Sequence, residues 1–150
     1  MEKASKPRRT TMQSVQGKLC AALFESQGES VLPTFEKIYG EYGEELGAGL
    51  QKRSGSNGLE QAAKALQDMF DQAALPAEAT FDGERIHWEG RLCPFGLENT
   101  HRKVCEAVMA IDLEMTRQLV GVSRGQLGIT IDKTMAGGDE CCRGTYFIKE

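Results

Sequence analysis

Apolar positions recur three and four residues apart through the first half of the chain, and the period then shortens. Met12, Val15, Leu19 and Leu23 predict a first helix that Gly28 stops. A second helix is predicted from near Ser30, with Pro33 tolerated in its first turn, carrying Leu32, Phe35, Tyr39, Tyr42, Leu46 and Leu50. This helix also holds Gly40, Gly43, Gly47 and Gly49, and each interior glycine costs about 1 kcal/mol of helix propensity. Two readings follow: close packing against a neighbouring helix or a ligand, or a kinked or broken helix. After a polar turn over Lys52 to Gly58, Leu59 to Phe70 predicts a third helix with Ala62, Leu66, Met69 and Phe70 buried, and Pro76 ends the helical half.

Ala79 and Phe81, the Asp82-Gly83 turn, then Ile86 and Trp88 read as a β-hairpin. Asn99 or Thr100 is expected to cap a fourth helix carrying Val104, Val108, Ile111, Met115 and Leu119. Residues 127–131 alternate as a strand, Gly137-Gly138-Asp139 turns the chain, and residues 143–149 return as the last strand. The expected fold is α+β: a helical N-terminal half packed on a small antiparallel sheet made of two hairpins flanking a helix.

At 150 residues, with 40% hydrophobic and 27% charged positions, the chain is expected to form one globular domain over residues 11–150. Residues 1–10, with Lys3, Lys6, Arg8 and Arg9, are expected to be a disordered polar leader. A net charge of -4 argues against a nucleic-acid partner for this chain alone. No apolar run approaches the roughly 20 residues that cross a bilayer, and the first residues lack the apolar core of a signal peptide. No membrane partner is expected, and the cytoplasm is the expected location.

The cysteines change the picture. Four of the five thiols fall in the C-terminal part: Cys93, Cys105, Cys141 and Cys142. In a reducing compartment such a cluster points to soft-metal ligation or redox chemistry rather than to disulfides. Cys20 lies beside Leu19, Leu23 and Phe24 in the first helix and reads as core filler. Cys93 follows a strand and precedes Pro94, a rigid mounting for a ligand. Cys105 stands four residues after His101, so both are candidates to face one metal from a single helix face. Cys141 and Cys142 are adjacent, and on a strand their side chains project to opposite faces. One of them shares a site with Cys93 and Cys105, and the other is an inert neighbour unless the glycine-rich turn distorts the strand. Such a ligand set suits zinc or an iron–sulfur cluster.

Other chemistries lack their signatures. His87-Trp88-Glu89 is not followed by the paired cysteines of a zinc deaminase, and alternation turns His87 to solvent. There is no phosphate loop, dinucleotide fingerprint or hydrolase elbow. Asp112 and Glu114 are two apart on a helix and so form no acid–base pair.

Taken in order, these motifs are a glycine-punctuated helix (Tyr39-Gly40-Glu41-Tyr42-Gly43), a hairpin ending in Cys93-Pro94-Phe95, a helix bearing Val104-Cys105, and a strand pair with Gly138-Asp139-x-x-Cys142 in its turn. This order resembles the 4-vinyl reductase-like superfamily of small-molecule-binding domains, over roughly Lys37 to Ile148. Within it, the methanogen output domain and the cysteine-bearing sensor half of iron–sulfur-assembly repressors look most similar. L-2-amino-thiazoline-4-carboxylic acid hydrolase-like proteins share the C-terminal layout. The resemblance implies that Cys93, Cys105 and Cys142 are the site cysteines, holding an iron–sulfur cluster in the repressor branch. No winged-helix half is expected before the sensor region in these 150 residues, and Cys141 and Gly144 depart from the pattern. The expected function is a metal- or iron–sulfur-binding sensor module, with a small-molecule ligand and a second copy of the chain as candidate partners; the alternative is hydrolysis of a small heterocyclic substrate.

Overall fold

The computed structural model describes residues 10–150; the polar leader, apart from Thr10, lies outside the described residues. Helix α1 (Met12–Gln27) starts on a reciprocal cap, in which Thr11 Oγ1 accepts from Ser14 N at 3.1 Å and Ser14 Oγ accepts from Thr11 N at 3.0 Å. Gly28 ends it at φ 75°. A single 3₁₀ turn, Gly28–Val31, leads into α2 (Leu32–Ser54), with Pro33 in its first turn. Helix α3 (Gly58–Gln72) buries Ala62, Ala63 and Leu66.

The hairpin of β1 (Ala77–Phe81) and β2 (Ile86–Gly90) follows. Its turn is fixed by Asp82, whose Oδ1 accepts from the backbone N–H groups of Glu84 and Arg85 at 2.8 and 2.7 Å. The predicted fourth helix is two segments, α4 (Arg102–Val108) and α5 (Ala110–Val120). It starts later than expected because Thr100 spends its hydroxyl on the Leu97 carbonyl at 2.5 Å and Asn99 is left-handed at φ 56°, so His101 occupies the cap position. The bonds from Met109 N to Cys105 O (2.9 Å) and from Leu113 N to Met109 O (3.0 Å) continue across the break. Strand β3 (Leu127–Lys133), a 3₁₀ turn at Met135–Gly137 and β4 (Cys142–Ile148) complete the chain.

The four strands form one antiparallel sheet in the order β1-β2-β4-β3. Its inner face carries the cross-strand rows Phe81–Ile86–Tyr146–Ile129, Ala79–Trp88–Gly144–Ile131 and Ala77–Gly90–Cys142. Helices α3 and α5 cover this face, and α2 lies against α5. The close approach of α2 and α5 decides between the two readings of the glycine-rich helix. A Cβ on Gly47 would stand 2.7 Å from Gln118 Cβ, and one on Gly43 would collide with the Ile111 carbonyl, while α2 runs unbroken for 23 residues.

Two apolar clusters form the core. One lies between the sheet, α3 and α5, around Leu66, Ile86, Leu119 and Tyr146. The other joins α1, α2 and α4 to the segment after β2, around Phe35, Phe95, Leu97, Val104 and Val108. Leu46 of α2 touches both. The α+β fold expected from the periodicity is the observed one, with two hairpins flanking the α4–α5 pair.

Candidate functional site

A cavity of about 400 Å³ opens between the two clusters. Its position follows from the sheet: the row Ala77–Gly90–Cys142 carries the smallest side chains of the inner face, so nothing fills the gap beneath the helices. Leu66, Met69 and Phe70 of α3 and Leu46 of α2 form one side, and Phe95, Leu97, Val108 and Met109 the other. Trp88 and Tyr146 stand on the sheet, with ring centroids 6.2 Å apart. A volume of this size and apolar lining suits a small organic molecule.

Cys93, Cys105 and Cys142 all line this cavity. Each sulfur accepts a hydrogen bond: Cys93 Sγ from Leu97 N at 3.4 Å, Cys105 Sγ from Thr134 Oγ1 at 3.2 Å, and Cys142 Sγ from Met135 N at 3.4 Å. Burial pushes the Cys105 thiol up to about 12 against the pull of the Thr134 hydroxyl, and the neighbouring Cys142 and Cys93 add to the rise. Burial also raises the Cys142 thiol. Cys105 and Cys142 are therefore neutral thiols at neutral pH and weak nucleophiles. Their donor chemistry is that of a soft-metal site, but the positions do not fit one as they stand. Among the described residues, no group of three or more His, Cys, Asp or Glu side chains is disposed to hold a metal ion.

The two further metal candidates point elsewhere. Cys141, one residue before Cys142, turns to the other face and places Sγ 3.5 Å from Glu89 Oε1. His101 is drawn to α1, with Nε2 2.9 Å from Glu25 Oε1 and its ring 5.0 Å from that of Phe24. Cys20 is buried in the core 4.0 Å from the Tyr39 hydroxyl. His87 is exposed on the outer face, bonded to Asp82 at 2.5 Å.

Sequence reasoning missed the polar groups of the cavity. Asp112 of α5 lines it and is half-buried. Desolvation pushes this carboxyl up to about 7, opposed only by its own backbone N–H. Tyr146 faces Asp112, and burial followed by that carboxyl's charge raises its phenol. Trp88 Nε1, on the lining, is buried without a well-formed hydrogen bond, as is the Thr116 hydroxyl outside the lining. The available signal was Asp112 itself, a charge inside the stripe formed by Val108, Ile111 and Met115.

No protein-family model matches the chain, and no curated protein matches it. Solved structures do. A trafficking protein particle complex subunit 3 from Naegleria fowleri, described as covalently bound to palmitic acid, superposes with a TM-score of 0.62 at 11% identity, covering 92% of this chain and 95% of that one. The phenol-responsive sensory domain of the transcription activator PoxR, described with phenol, gives 0.62 at 13% identity, covering 94% of this chain and 76% of that one. At these identities the likeness shows a shared fold.

Proposed function

We propose that this chain is a ligand-binding sensor module of the 4-vinyl reductase-like type, taking a small, largely apolar molecule into the cavity between the sheet and α3 to α5. The observation that carries this reading is the cavity: about 400 Å³, apolar, and placed by small residues at three adjacent strand positions. Support comes from the shared fold, since one structural neighbour is described with a fatty acid and the other with phenol. Among the described residues, no helix is long and apolar enough to cross a membrane. The neutral state of the buried thiols favours binding over hydrolysis of a heterocycle, which needs an activated nucleophile.

Metal or iron–sulfur binding at Cys93, Cys105 and Cys142 is a second reading. Its support is that all three cysteines line the cavity and their sulfurs accept hydrogen bonds, an arrangement that stabilises thiolates once formed.

Anaerobic purification followed by metal analysis and native mass spectrometry tests both readings. An organic adduct lost on denaturation, without stoichiometric metal, supports the first. Iron with sulfide, or one zinc per chain lost in Cys105→Ser and kept in Cys20→Ser, supports the second. Thermal scans with phenol and with medium-chain alcohols then read the cavity directly, because a ligand at 100 times its Kd stabilises the fold by about 2.7 kcal/mol. No shift with any of them removes the binding reading.

A further inference from the structure

Among the described residues, the cavity holds a negative group and no positive one: its lining contains no Lys, Arg or His. It contains two acids, and one of them is already engaged: Glu89 accepts from Arg143 at 2.7 Å on the outer face and lies 3.7 Å from Arg91. Asp112 has no ion pair and no side-chain hydrogen bond among the described residues. The titratable groups that face it are Tyr146 of β4 and Cys105 of α4, neither of which is a cation. Arg117, the cation of its own helix, is committed to Glu114, Glu44 and the Val122 carbonyl at 2.6, 3.1 and 2.9 Å. A carboxylate in apolar surroundings is costly until it meets a cation, so the lining lacks one partner. The same lining carries the rings of Trp88, Tyr146, Phe70 and Phe95, and aromatic faces attract organic cations.

We propose that Asp112 is the ligand's anchor and that the cavity selects an organic amine, with its ammonium group on the Asp112 carboxylate and its apolar body among the aromatic and aliphatic walls. This assignment rests on the cavity reading above and adds the charge of the ligand to it. A carboxylate ligand meets like charge at the same point and is disfavoured.

The test is isothermal calorimetry at pH 8.5 on the full chain with three probes of one chain length: octylamine, 1-octanol and octanoate, each below its aggregation limit. Octylamine is expected to bind the unaltered protein more tightly than octanoate by about tenfold or more. In Asp112→Asn the two are expected to converge to within about threefold, with 1-octanol unchanged. Asp112→Leu gives the same readout with an apolar replacement, and circular dichroism confirms that both variants fold. Equal binding of amine and carboxylate by the unaltered protein overturns the proposal, and so does a preference that survives both substitutions. Binding of 1-octanol without amine preference leaves the cavity reading standing and removes the anchor. Failure of all three probes removes both.

Discussion

Gly40 and Gly43 stand three residues apart on α2 and answer to opposite pressures. A methyl at Gly43 runs into the Ile111 carbonyl, whereas one at Gly40 meets only Glu114 Cγ at 3.7 Å and Ala110 Cβ at 3.8 Å, ordinary contact distances. Gly43→Ala is therefore expected to lose about 1–3 kcal/mol through overpacking. Gly40→Ala should be neutral or gain up to about 1 kcal/mol from helix propensity. Urea denaturation of the two variants measures the contrast; losses of equal size would mean that α2 and α5 are not in this contact. Asp112 carries a second prediction at this scale. Its folded carboxyl is raised to about 7 from an ordinary value of 3.8, so the unfolded chain gives up this proton first as pH rises. Stability from this group is intact below pH 4, falls between about 4 and 7, and is constant above. Asp112→Asn should raise Tm at pH 8 by clearly more than at pH 4. An equal change at both values would place this carboxyl in water.

Between elements, α2 and α5 are joined by charge as well as by glycines. Arg117 is nearly sealed, with 6% of its side chain exposed, and it bonds Glu44 of α2, Glu114 of its own helix and the Val122 carbonyl beyond it. Glu44 also takes both bonds of Arg124, at 2.6 and 2.7 Å. Arg117→Ala leaves two partly buried carboxylates without their shared cation and is expected to cost about 3–5 kcal/mol. Arg124→Ala, which removes an exposed partner, should cost at most about 1 kcal/mol. Comparable losses would show that Arg117 is solvated. Most elements were legible in the sequence because each announces itself locally: helical spacing in α1 to α3, Asp82-Gly83 in the hairpin, alternation in the last strands. The break at Met109 was not, since no Gly or Pro marks it. The late start of α4 was also hidden, because it depends on Thr100 turning its hydroxyl back to Leu97.

For the molecule as a whole, the thiols were the visible part of the site and the space beside them was not. Cys93, Cys105 and Cys142 stand out as residue types, and all three line the cavity. The cavity arises from what is missing at Ala77 and Gly90, and that appears only when strand register aligns them with Cys142. In the sequence Asp112 pairs only with Glu114, two residues away, and helical spacing sets those two apart. The arrangement predicts an order of thiol reactivity. Cys20, Cys93, Cys105 and Cys141 are buried, and Cys142 is the half-buried one that opens on the cavity. With iodoacetamide and peptide mass spectrometry, Cys142 is expected to label first, slower than free cysteine because its thiol is raised, and slower again with 1-octanol present. Faster labelling of Cys141 would reverse the assignment of faces.

The absent side chain at Gly144 governs how the last hairpin assembles. The Trp88 indole lies where a Cβ would be, 2.6 Å from its Cζ2 atom, and the Thr130 carbonyl closes the other side. Sliding β4 by a single position brings Arg143 or Thr145 under the indole, where neither fits, and exchanges the places of the twin cysteines. An indole over a bare backbone thus rejects a slide of one position in either direction, and this check turns Cys142 rather than Cys141 toward the cavity.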